Sequence, residues 1–143
     1  SYTLIFVFLC LHVYGSKYTY AENPLGYYLQ ELFNWNRNHY DRMVHFGFGF
    51  LLAYPLNEFL FNHLKIDQRL NYLLPIEIIL SISGLYEIIE WAVADIFFPE
   101  QGVAYLGTQG DPWDAQKDMF LAFFGAFLIM LFLAGYRGIN LKK

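Results

Sequence analysis

The chain has 143 residues, of which 57% are hydrophobic, 21% aromatic and only 15% charged. That composition, with a mean hydropathy of +0.30, departs from a soluble average and reads as an integral membrane protein. A formal net charge of −4 without a basic stripe excludes nucleic acid as a partner, and the single cysteine, Cys10, excludes an intrachain disulfide.

In chain order, the first apolar run covers about residues 1–14, short of the roughly twenty that a bilayer crossing needs. It lacks a basic leading region and a small-residue cleavage site, so it reads as a truncated or tilted span rather than a signal peptide. A polar and aromatic stretch follows. Within residues 24–40, Leu25, Tyr28, Leu29, Leu32 and Phe33 fall at helical spacing, which predicts an interfacial helix anchored by tyrosines and Trp35 at headgroup level. Three longer spans are expected over residues 43–64, 70–98 and 112–136. The expected fold is therefore all-α: a polytopic membrane helix bundle of about four transmembrane helices plus the interfacial helix, in a single membrane domain over residues 1–143. The lipid bilayer is its first partner. With four spans the basic residues divide five against four, with Lys65, Arg69, Arg137, Lys142 and Lys143 on the richer side. The positive-inside rule then puts both termini in the cytoplasm and the opposite end of the bundle on the non-cytoplasmic side.

That opposite end is rich in acids. The segment LGTQGDPWDAQKDM opens the last span, and Asp111, Pro112 and Asp114 make a helix start: an N-cap, a proline at the first position and an acid at the third. Asp118, one turn further in, needs another explanation. It shares a face with Asp111, Asp114, Ala122 and Gly125, and small residues on a membrane helix mark a face packed against other helices. In NHYDRMVHFGFGF, Asp41 and His45 stack four residues apart at the mouth of the second span. In YEIIEW, Glu87 and Glu90 lie roughly 12 to 16 Å from the end of the third span at 1.5 Å per residue. Charges at that depth cost several kcal/mol and normally face the bundle interior beside a cation, a proton or each other. Helical spacing alone assigns Arg42 and Lys117 no partner among these acids.

The order NHYDRMVHFGFGF, YEIIEW and LGTQGDPWDAQKDM resembles the YjdF-like family of bacterial inner-membrane proteins, over about residues 30–125. An Asp-x-x-x-His-Phe at one helix mouth followed by an acid-rich helix start is similar, more loosely, to the VanZ-like group. The family resemblance implies a multi-span fold in the inner membrane and brings no established activity.

Three functions compete on these residues. In the first, His45, Glu87, Glu90, Asp114 and Asp118 hold a divalent metal (Zn, Mn, Fe or Mg), with Asp41, Asp111, Gln109, Trp91 and Trp113 at the rim. A water on such a metal could act on a lipid-linked or phosphorylated substrate. In the second, the same groups form a structural network, with Trp91, Trp113, Tyr86 and Gln109 donating to carboxylates, in a scaffold or an accessory subunit with membrane-protein partners. The third is a proton or ion path, for which only Glu77, Ser81, Ser83 and Tyr86 offer steps toward Glu87.

Overall fold

The computed structural model describes residues 1–97, 102 and 106–140, and among these every regular element is helical. Helix α1 runs Tyr2–Ser16, α2 Pro24–Phe33, α3 Tyr40–Leu64, α4 Gln68–Ala92 and α5 Asp114–Asn140; a π-helical turn, Val93–Phe97, extends α4.

Local chemistry sets the boundaries. The Asn23 side chain caps α2 by accepting the backbone N–H of Leu25 at 3.0 Å and of Gly26 at 3.3 Å, with Pro24 at the first helical position. Asn34 ends α2 in the left-handed region at φ 52°, ψ 44°. Helix α2 thus holds all the residues expected at helical spacing within the segment 24–40, and residues 34–39 form the connection into α3. Leu25, Tyr28, Leu32 and Phe33 remain exposed on it, as suits a helix lying at the headgroup boundary. Helix α3 starts at Tyr40, three residues earlier than expected, because the Asn38 side chain accepts the Tyr40 backbone N–H at 3.0 Å. Helix α5 starts two residues later than expected, while Asp111 caps that turn by accepting the Trp113 N–H at 3.1 Å. The expected end of the third span, Phe98, lies outside the described residues, as do Lys142 and Lys143.

Helix α3 is the centre of the bundle: it packs against α1, α4 and α5, and α4 also packs against α5. The α3–α5 crossing is close because each helix offers a glycine to the other's backbone. A Cβ on Gly49 would collide with the Ala122 carbonyl, and one on Gly125 with the Phe46 carbonyl. Ala53, Ile76, Ile79, Ala122, Ala126 and Met130 fill the space around that contact. Outward faces are apolar too, with Leu85, Ile88, Ile89, Leu131 and Phe132 all more than half exposed, which is the pattern of helices in lipid.

Two stretches, Leu70–Phe97 and Asp114–Tyr136, are long and apolar enough to cross a bilayer on their own composition. Helix α3, with 25 residues, has the length but carries Asp41, Arg42, His45, Asn57 and Glu58; α1 has 15 residues. Near the far end of α3, Asn57 donates to the Asn71 carbonyl at 2.6 Å, both residues being fully buried. At its near end, Tyr40 donates to the Leu11 carbonyl at 2.9 Å, tying α1 to the end of the bundle that carries the acids.

Candidate functional site

The polar groups at this end separate into two layers. The outer layer is an ion-pair lattice. Arg37, in the connection before α3, grips Asp114 with both terminal nitrogens, at 2.7 and 3.2 Å, and donates to the Thr108 carbonyl at 3.2 Å. Arg42 donates through Nη2 to Asp111 at 2.5 Å and to Asp114 at 3.0 Å. Lys117 reaches back to Asp111 at 2.6 Å. Arg42 and Lys117, to which helical spacing alone assigned no partner, are therefore paired within the cluster. Spacing within one helix cannot see pairs made between helices, and Arg37 sits in a connection that periodicity does not place. Lys117, seconded by the Trp113 N–H and Arg42, holds the Asp111 carboxyl well below the usual carboxylate range. Burial, reinforced by Arg42 and Arg37, lowers His39 below its ordinary value.

Gln109 locks this layer from the loop before α5. Its side-chain oxygen accepts the Asn38 N–H at 3.0 Å and its amide donates to the Asn38 carbonyl at 2.9 Å, so it reads backbone and not the carboxylates expected to receive it. Trp91 and Trp113 are 56% and 63% exposed, at the edge of the cluster. Tyr86 lies beside the Glu90 carboxylate, as expected, and also touches Tyr20.

The inner layer lies below. Asp41 and His45 from α3 and Asp118 from α5 converge so that one ligand atom from each lies within 4.8 Å of the other two. His45 Nε2 is 3.6 Å from Asp41 Oδ1 and 3.5 Å from Glu87 Oε1, which are near contacts and not strong hydrogen bonds. Asp118 is 2% exposed and its Oδ1 has no hydrogen-bond partner; neither has the buried Glu87 Oε1. Among the described residues, no lysine or arginine forms an ion pair with Asp41, Glu87, Glu90 or Asp118. A cavity of about 420 Å³ opens over Asp41, Glu87, Glu90 and Asp118, with Asp111 and Asp114 on its wall.

The structure thus brings together His45, Glu87 and Asp118 with Asp41, a residue assigned to the rim by sequence. It draws Asp114 toward the arginines instead, and sets Glu90 on the cavity wall beside Tyr86. Behind His45, a second, apolar cavity of about 210 Å³ lies between α1, α3 and α4, where Tyr20 and His12 share a hydrogen bond of 2.8 Å. The buried Ser83 hydroxyl lines it without a partner. Glu77 and Ser81, the other steps of an imagined proton path, are exposed on the outside of α4 while Ser83 is buried, so these groups do not line up.

Comparison with known proteins agrees with this picture. The model of a family described as predicted membrane protein (DUF2238) matches residues 1–138. The inner membrane protein YjdF of Escherichia coli (strain K12) is 37% identical over 143 residues, which cover 99% of this chain and 68% of that protein. An inner-membrane localisation agrees with this relative. No solved structure matches. The chain is a membrane protein and belongs to the DUF2238 family, to which the three acid-bearing motifs had pointed.

Proposed function

We propose that the inner layer binds a divalent cation, with Asp41, His45 and Asp118 as ligands and Glu87 completing or orienting the set. The observation that carries this reading is the charge imbalance across the two layers. Arg37, Arg42 and Lys117 all bond to Asp111 or Asp114, and among the described residues the four deeper carboxylates have no lysine or arginine partner, with unpaired oxygens on Asp118 and Glu87. Such groups must share protons or hold something positive.

One imidazole and two or three carboxylates suit Zn, Mn, Fe or Mg. Metal–ligand bonds near 2.1 Å put ligand atoms no more than about 4 Å apart, so the trio needs only a small contraction to close. The cavity leaves room for a further ligand, such as a water or a phosphate oxygen of a lipid-linked or phosphorylated substrate. Residues 43–64 and 1–14 are taken as the remaining spans, with the site facing the non-cytoplasmic compartment.

Titration of chelator-treated protein with Zn²⁺ or Mn²⁺, followed by calorimetry, tests this. One site per chain is expected, weakened at least tenfold by Asp118→Asn and unaffected by Lys65→Gln at the far end of α3. No saturable binding by the wild type would sink the proposal. The outer layer favours a second reading of the end as a whole: its lattice of ion pairs between elements and the Gln109 latch would serve a scaffold or accessory subunit equally well. In that case the inner carboxylates are protonated and no metal binds.

A further inference from the structure

On the outer surface of the bundle, between α3 and α5, runs a groove of about 650 Å³ that the metal site does not use. Its head carries Arg42 and Lys117, with His39 beside them held edge-on against Trp35 at a ring separation of 5.0 Å. Its floor is Met43, Phe46 and Phe120. The order of these residues is set by the helices. Phe46 follows Arg42 by four residues and Phe120 follows Lys117 by three, so each apolar side chain lies about one 5.4 Å turn deeper into the membrane than its cation. Trp35, 38% exposed, sits at the level where indoles mark the headgroup boundary.

Charge selects the occupant. Arg37, Arg42 and Lys117 face two outer aspartates, leaving an excess of one positive charge at the head of the groove. Lys117 is half exposed, and both bonds of Arg42 to the aspartates run through Nη2, while Arg42 itself lines the head of the groove. Positive groups at the interface with an apolar channel beneath them repeat the layout of a phospholipid molecule, headgroup above chain. A zwitterionic headgroup would bring its own ammonium against these cations.

We infer that this groove seats an anionic phospholipid, with its phosphodiester at Arg42 and Lys117 and one acyl chain along Met43, Phe46 and Phe120. The bound lipid bridges α3 and α5 over the α3–α5 crossing, next to the outer layer and independent of any metal in the inner one.

Native mass spectrometry of the detergent-purified full chain, offered phosphatidylglycerol and phosphatidylcholine with the same acyl chains in equal amounts, tests this. A basic residue near an anionic lipid contributes about fivefold in affinity, so phosphatidylglycerol is expected to be retained about fivefold over phosphatidylcholine. Lys117→Glu should abolish that preference, Lys117→Gln should reduce it without reversing the charge, and Lys65→Glu at the far end of α3 should leave it intact. Equal retention of the two lipids by the wild type, or a preference unchanged in both Lys117 variants, would overturn the assignment. Displacement of phosphatidylglycerol by glycerol phosphate at equal concentration would also overturn it, because the groove would then be reading a free anion and no chain.

Discussion

Gly125→Ala adds one methyl group at the tightest point of the bundle. The new Cβ would overlap the Phe46 carbonyl oxygen and lie 2.8 Å from the Phe50 backbone nitrogen and 3.3 Å from the Phe50 Cβ. Two of these three neighbours are backbone atoms, so no rotamer change relieves the clash; α3 and α5 must separate. Overpacking of this kind costs about 1 to 3 kcal/mol, and the backbone contacts argue for the upper half of that range. At roughly 3 °C per kcal/mol for a chain of this size, the midpoint of thermal unfolding in detergent should fall by about 6 to 9 °C. Gly135→Ala is the internal control. It lies in the same helix, its Cβ would meet nothing within 4 Å, and the substitution should be neutral or stabilise by up to about 1 kcal/mol through helix propensity. Equal midpoints for the two variants would mean that α3 and α5 do not cross at Gly49 and Gly125, and the convergence of Asp41, His45 and Asp118 would fall with that crossing.

Arg37→Gln removes the bidentate partner of the 4%-exposed Asp114 and should destabilise the fold by about 3 kcal/mol, seen as a lower unfolding midpoint; a change below about 0.5 kcal/mol would show that the lattice is a loose surface feature. Acid should weaken the same lattice. Because the folded Asp111 holds its proton less tightly than the unfolded chain does, the stability it contributes is present above the ordinary aspartate value near 4 and is lost as pH falls below it; Asp111→Asn should flatten that acid limb, and an unchanged limb would refute the role. Burial pushes the Tyr20 hydroxyl up to about 12. The unfolded chain then releases this proton first, so stability should decline as pH rises from about 10 to 12, and Tyr20→Phe should lessen the decline.

Periodicity and composition carried most of the fold. Helix spacing placed the long apolar segments, and of the face expected to hold Asp111, Asp114, Asp118, Ala122 and Gly125 the four residues within α5 are buried, while Asp111 lies before the helix and is half-buried. What they could not supply was the pairing between elements. Arg37 lies in an irregular connection, and its grip on Asp114 spans 77 residues of sequence. The stacking of Asp41 on His45 was legible from spacing, but spacing within α3 cannot show that Asp118 of α5 meets the pair, so Asp41 read as a rim residue. Gln109 read as a donor to carboxylates because amides often are, whereas its left-handed backbone, φ 50°, turns the side chain onto the Asn38 peptide. The signal that could have found it is the adjacent pair Gln109–Gly110, both at positive φ, which marks a tight turn and not a helix face.

On the proposed function, the inner carboxylates are balanced by a metal and not by protons. Elemental analysis of the protein purified in detergent without added metal or chelator measures this directly, against Asp118→Asn prepared in parallel. About one equivalent of a transition metal per chain in the wild type, and little in the variant of equal thermal stability, is the predicted result. A metal-free wild type that binds none on addition would contradict it and would leave a protonated, structural cluster in its place.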